Sequence, residues 1–235
     1  MADMIHLNHF TLDVIERFGI KLGFGNKTIE QVCNENGIPV DFFLEIVNAF
    51  IDKDYFPQKQ LQDVNLMHII KYLKKTHESY LQERIPEIEE LIDQMESSCY
   101  SQKENIILLK KFFSEYKHEL ENHTNREDTL VFPHAELVHN TYQEKKPSAE
   151  ALEQIKKYSM KQFEQEHDNI EEKLYDLKNI IIKYLPPPKN QQHCRKLLYA
   201  LFSLEKDIND HSRIEDKVLV PKVAELEKLV LSQHG

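Results

Sequence analysis

From Ile38 to His234 the chain contains no glycine, while Gly19, Gly23, Gly25 and Gly37 crowd its beginning. Tight turns and bulges draw on glycine, so so long a stretch without it favours helices joined by few connections. Prolines mark where those connections fall. The runs "QEKKPS" and "LPPPKN" disfavour helix and help to separate four amphipathic segments at about residues 66–99, 103–142, 148–184 and 191–232. Short connections between long helices make antiparallel neighbours. The predicted fold is therefore all-α, an up-down-up-down four-helix bundle. Pro86, Pro133 and Pro221 lie inside these segments, and each is expected to bend its helix or end it early.

The glycine-bearing beginning reads differently. "TLDVIERFGI" is a short helix; "NKTIEQVCNENG" is another, opened by a capping box of Thr28 with Gln31 and closed by Asn36-Gly37; "VDFFLEIVNAFIDKD" makes a third. The expected organisation is a small helical N-terminal domain over residues 1–60, joined by "YFPQKQLQDVN" to a bundle over residues 61–235.

Composition narrows the function. Asp and Glu number 40 against 30 Lys and Arg, and no basic stripe exists to neutralise a phosphate backbone, which argues against nucleic acid as a partner. The start "MADMIHLNHF" has no signal-peptide pattern and no segment reaches the apolar length of a membrane span. A soluble, cytoplasmic protein without a membrane partner is expected. Cys33, Cys99 and Cys194 are scattered without a Cys-x-x-Cys pair, which suits a reducing compartment and a packing role.

One phrase is written twice. "HTNREDTLVFP" at residues 123–133 returns as "HSRIEDKVLVP" at 211–221, and in each a histidine precedes a glutamate by four, placing both on one helix face a turn apart. The other two segments carry His77 in "KKTHESYL" and His167 in "EQEHDNIEEKL". His77 and His123 are 46 residues apart, His123 and His167 are 44, and His167 and His211 are again 44. In an antiparallel bundle such even spacing puts all four near mid-height, where they can meet in the core. The spacing also exposes a duplication: two helical hairpins related by an approximate twofold, each with a lone histidine on one helix and the His-x-x-x-Glu phrase on the other.

With twelve histidines in the chain, about one His-x-x-x-Glu is expected by accident. The third occurrence, His167 with Glu171, lacks the apolar-Pro frame, and its duplicate position is Leu81; Glu171 is read as that accident. Four imidazoles and two carboxylates in a core cost several kcal/mol each unless something offsets them. Metal supplies the offset. Imidazole with carboxylate suits iron, manganese or zinc, and two carboxylates can bridge two ions while each ion takes two histidines. The predicted ligands are His77, His123, Glu127, His167, His211 and Glu215. With a bridging oxide or hydroxide each ion has five ligands, and its sixth octahedral position is open to a small molecule.

These residues resemble the hemerythrin-like family, and among its members the iron-sulfur cluster repair di-iron proteins, also called the repair-of-iron-centres family. "THESYLQERIP", "ELENHTNREDTLVFP", "EQEHDNIEEKL" and "DINDHSRIEDKVLVP" are similar to that family's four ligand helices. The resemblance implies two iron ions with an oxo or hydroxo bridge. Oxygen-carrying hemerythrins have a fifth histidine for which this chain offers no candidate, so both irons would be more open, which suits reaction or sensing. "RFGIKLGFGNKTIEQVCNENGI" also resembles the repair proteins' N-terminal domain, but Gly23-Phe24 stands where that family carries a Cys-Cys pair.

Around the ligands, Glu119 and Asp207 precede His123 and His211 by four, and Glu166 adjoins His167. Such acids can orient a metal-bound imidazole or carry protons, and a solvated helix face would look the same in sequence. In the repair family, acids matching Glu119 and Glu166 lie beside the site, so these two are the candidate catalytic acids. The remaining histidines, His68 among them, are out of frame. The expected function is a non-haem di-iron protein that binds nitric oxide and reduces it, protecting against nitrosative or oxidative stress and supporting iron-sulfur cluster repair, with iron-sulfur proteins as partners. The alternative is an oxygen- or nitric-oxide-binding sensor without turnover. The sequence leaves open whether two copies pair as a homodimer.

Overall fold

The computed structural model describes residues 1–98, 103–144, 146–160, 163 and 170–234. Among them the chain is helical and contains no strand. By contacts it forms two compact units: Met1–Thr76 with Ala135–Met160 and Ser212–Gly235, and His77–His134 with Lys161–His211.

In the first unit the N-terminal helices follow from local signals. Thr28 accepts from the Gln31 backbone while the Gln31 side chain accepts from the Thr28 N–H, so the helix Ile29–Glu35 begins in a full capping box. It ends with Gly37 at φ 66, where the N–H groups of Gly37 and Ile38 reach back to the carbonyls of Asn34 and Cys33. This is a Schellman close, and its left-handed position is what calls for glycine. The helix Val40–Ile51 buries Phe42, Phe43, Ile46, Val47 and Phe50. Phe18 packs against Phe42, Phe43 and Tyr72, its ring centroid 5.4, 5.1 and 5.0 Å from theirs. Cys33 is wholly buried, and burial pushes its thiol pKa up, as befits a packing residue. Cys194 is buried as well, and Cys99 lies outside the described residues.

The third amphipathic segment departs from the expected continuous helix. It starts at Ser148, whose hydroxyl accepts from the Ala151 N–H, and runs from Ala149 to Lys157. Tyr158 then turns extended, at φ −137 and ψ 141. The Met160 N–H that follows donates to the buried Glu227 carboxylate, 67 residues away, at 3.1 Å. A helix restart normally finds its acceptor in a local Ser, Thr, Asp or Asn; here a distant carboxylate serves, which local patterning does not show.

Among the described residues, the second unit holds four helical segments around one core. Residues such as Ile88 and Ile92, Leu109 and Phe113, Leu174 and Leu177, and Leu197 and Leu201 form a continuous apolar cluster. The spacing of three and four in each segment is the stripe expected of core-facing helices.

Four prolines follow a local change in the helical coil. Five-residue π-helical turns lie at Tyr80–Arg84, Glu127–Val131, Ile180–Tyr184 and Glu215–Leu219. Each begins six residues before a proline: Pro86, Pro133, Pro186 and Pro221. In an α-helix the proline ring collides with the carbonyl four residues back. A π turn inserts a residue and widens the coil there, so at Pro86, Pro133 and Pro221 the helix passes on. Only before Pro186 does it stop, with Leu185 extended at φ −74 and ψ 145, the conformation a following proline favours.

Candidate metal centre

Glu127 and Glu215 each open one of these π turns, and each follows a predicted histidine ligand by four residues. Single π turns recur at functional sites because the widened coil re-aims the side chains it carries. Both carboxylates are fully buried, at 0% exposure. A lone carboxylate in such a place costs several kcal/mol unless something positive meets it.

Imidazoles surround Glu127. Its Oε2 lies 3.1 Å from His77 Nε2 and its Oε1 lies 2.9 Å from His123 Nε2. Neither oxygen, though sealed from solvent, receives a hydrogen bond of proper geometry. His77 Nε2 also faces His211 Nε2 at 3.1 Å. Two imidazole nitrogens and a carboxylate oxygen thus crowd together in the core. The ligand atoms of His77, Glu127, His211 and Glu215 all lie within 4.8 Å of one another, and all four side chains are buried. His123 joins this group through Glu127.

The electrostatics agree with a cation at this place. Burial pushes the Glu127 carboxyl up, but the adjacent imidazoles of His123 and His77 outweigh it and hold the group far below the usual carboxylate range. It is therefore ionised. Imidazole and carboxylate donors are the set that first-row transition metals take, so the residues present fit a metal of that class. Two rings wall the group. Phe132 stacks on His77 with centroids 5.4 Å apart, and Tyr80 meets His211 edge-on at 5.8 Å.

Of the six predicted ligands, His77, His123, Glu127, His211 and Glu215 are therefore brought into the core. His167 and Glu166 lie outside the described residues. Glu119 stands apart from the group: it pairs with Lys173 and, with His123 and Arg126, lines an open cavity of about 600 Å³. Asp207 is buried. Glu171 lies on the helix Ile170–Asn179, and His68 packs near Phe42 with ring centroids 6.4 Å apart.

Sequence reasoning missed Asp128. Its Oδ1 lies 3.0 Å from His77 Nδ1, the partner that a metal-bound imidazole uses to fix its tautomer. A signal for it existed. Both copies of the repeated phrase read Glu-Asp, so Asp128 and Asp216 occupy one position of the duplication.

Comparison with known proteins adds one match. The family described as "Hemerythrin HHE cation binding domain" matches residues 68–223, a span that takes in every predicted ligand. A search of curated proteins found no match to the chain.

Proposed function

The chain belongs to the hemerythrin HHE cation-binding family, and from that premise we propose that it is a cytoplasmic non-haem di-iron protein that binds nitric oxide and reduces it. The biological outcome is protection against nitrosative stress and support of iron-sulfur cluster repair, with iron-sulfur proteins as the beneficiaries. The observation that carries the reading is the sealed group of His77, Glu127, His211 and Glu215, whose ligand atoms lie within 4.8 Å of one another.

In this reading His77, His123, His211, Glu127 and Glu215 would hold the metal, with His167 as the sixth ligand. Bound iron would supply Lewis-acid and redox chemistry toward a diatomic gas. The rest falls to the chain. Asp128 holds the Nδ1 proton of His77, so that Nε2 presents its lone pair inward. Phe132 and Tyr80 exclude water from two sides. Forming one nitrous oxide and one water from two nitric oxides consumes two protons and two electrons. The electrons come from an external reductant. The protons enter through the cavity that Glu119 lines beside His123, with Glu166 as the second candidate acid.

The test has two stages. Protein purified without oxygen should carry two irons per chain and, once oxidised, show the near-ultraviolet absorption of an oxo-bridged pair. Given nitric oxide and excess reductant, it should yield nitrous oxide over several turnovers. Replacing Glu119 with Leu should slow that yield by about 10²-fold, the scale of a lost general acid, at unchanged iron content. Nitric oxide binding without any turnover in the unaltered protein would replace reduction with sensing.

A further inference from the structure

A groove of about 500 Å³ lies in the unit that contains the N-terminal residues, and Gln62, Asp63, Lys222, Glu225, Leu226 and Leu229 line most of it. It is distinct from the metal centre and draws on none of the predicted ligands. Its volume falls within the range of small-molecule sites.

Two elements build it. Gln62 and Asp63 end the helix Gln58–Asp63; Lys222, Glu225, Leu226 and Leu229 lie along one face of Val220–His234 at spacings of three and four. The two elements are tied where the groove begins. The Gln62 amide donates to the carbonyls of Lys217 and Val218, at 3.3 and 3.1 Å, and the Lys222 amine donates to the Gln62 backbone carbonyl. These bonds hold the lysine nitrogen at the groove.

The charge state of that nitrogen is set by its surroundings. Lys222 is half-buried, and burial pulls its pKa below the ordinary lysine value, while the charges of Asp63 and Glu225 work the other way. Burial, and next the charge of Lys222, lower the pKa of His139 on the helix Phe132–Gln143, which keeps that imidazole uncharged. Lysines made nucleophilic by desolvation are those that form Schiff bases with carbonyl compounds. A neutral amine still donates to the Gln62 carbonyl and keeps its lone pair for attack. The two carboxylates repel an anionic reactant, whereas Leu226 and Leu229 give a neutral one an apolar wall. Imine formation also needs protons moved on and off oxygen and nitrogen, which positioned carboxylates do.

We propose that Lys222 forms an imine with a small neutral aldehyde whose apolar body lies against Leu226 and Leu229, with Asp63 and Glu225 moving the protons. The ammonium gives one proton to a carboxylate, and the freed nitrogen pair bonds to the carbonyl carbon as the oxygen takes a proton from nitrogen. The first proton then returns to the new hydroxyl, which leaves as water while the nitrogen pair closes the C=N bond. The positive charge ends on the imine nitrogen. The probe is benzaldehyde, given to the full chain with cyanoborohydride, which reduces the imine to a stable benzylamine that peptide mass spectrometry locates. Lys222 should be benzylated about 10²-fold faster than Lys228, exposed on the same helix, the lower end of what positioned proton-transfer groups contribute. Its rate should saturate with benzaldehyde, and that of Lys228 should rise in proportion. The double variant Asp63→Asn, Glu225→Gln separates proton transfer from charge; both positions are exposed, so the fold is kept. Without the carboxylates more of the lysine is neutral amine, so a purely electrostatic role would speed labelling, whereas proton transfer requires it to fall toward the Lys228 rate. Labelling of Lys222 no faster than Lys228, without saturation, or undiminished in the double variant would overturn the proposal.

Discussion

Asp128 decides which nitrogen of His77 turns toward the ligand group. A neutral imidazole has one N–H, and a carboxylate 3.0 Å from Nδ1 keeps the proton on that side, leaving the Nε2 lone pair for the centre. Alanine at position 128 frees the ring to take the other tautomer or to rotate. Iron affinity should then fall by about 10- to 100-fold, the usual effect of removing a metal ligand's orienting partner, as read by competition with a chelator. Asp128→Asn keeps an acceptor oxygen and should lie between alanine and the unaltered protein. Alanine affinity equal to the unaltered protein's would remove this role from Asp128. His211→Ala should cut iron content outright, because the buried Glu127 and Glu215 need their cation, whereas His68→Ala should leave iron content unchanged. The gathering of His77, His123, Glu127, His211 and Glu215 in the core was legible because two framed His-x-x-x-Glu copies and a histidine at matched depth on another segment are too regular for accident. Asp128 was not, because its partner is 51 residues away and an Asp on a helix is usually just solvated.

At the scale of the element, helix positions were readable from periodicity, caps and proline-rich connections, but the π turns were not. A π turn differs from an α turn by one inserted residue, and the apolar stripe on either side stays intact, so only the recurring six-residue offset to a proline hints at it. That turn has a cost which the fold meets locally. Pro221 has no N–H for the Lys217 carbonyl, and the Gln62 side-chain amide donates to both Lys217 and Val218 carbonyls, at 3.3 and 3.1 Å. Lys222 in turn reaches the Gln62 backbone carbonyl. Gln62→Leu should therefore remove the amide's hydrogen bonds to these two carbonyls and lower stability by about 1 kcal/mol. In a chain this size that is roughly 2–4 °C in the unfolding midpoint, checked by thermal denaturation. A midpoint equal to the unaltered protein's would show that water replaces the amide without loss. Iron retention is a second readout, since this cap lies one turn beyond Glu215.

For the whole molecule, the open matter is how far residues 1–60 are a separable module. The sequence marks a boundary there by its glycines and by the linker that follows, both of them local signals; it cannot show what the linker touches. In the structure Met1–Thr76 forms one compact unit with Ala135–Met160 and Ser212–Gly235. Tyr55 offers its carbonyl to Arg213 at 3.1 Å, and the Phe56 ring lies under both Arg213 and Lys217, 4.9 and 5.1 Å from their charged centres. Removing residues 1–60 would take away these contacts together with Phe18, Phe42 and Phe43, and so uncover Tyr72, now 5% exposed, against which Phe18 and Phe42 pack. Burial of an aliphatic or aromatic side chain is worth about 1.5–3 kcal/mol, a large share of a stability of ~5–15 kcal/mol. The shortened chain should therefore unfold well below the full one and aggregate when concentrated, even though every predicted iron ligand is retained. Thermal unfolding and sedimentation of the two proteins at equal iron content provide the measurement. A shortened chain that stays monomeric with an unchanged midpoint and two irons would establish residues 1–60 as an independent domain; a lowered midpoint with iron still bound would show that they support the bundle without completing its site.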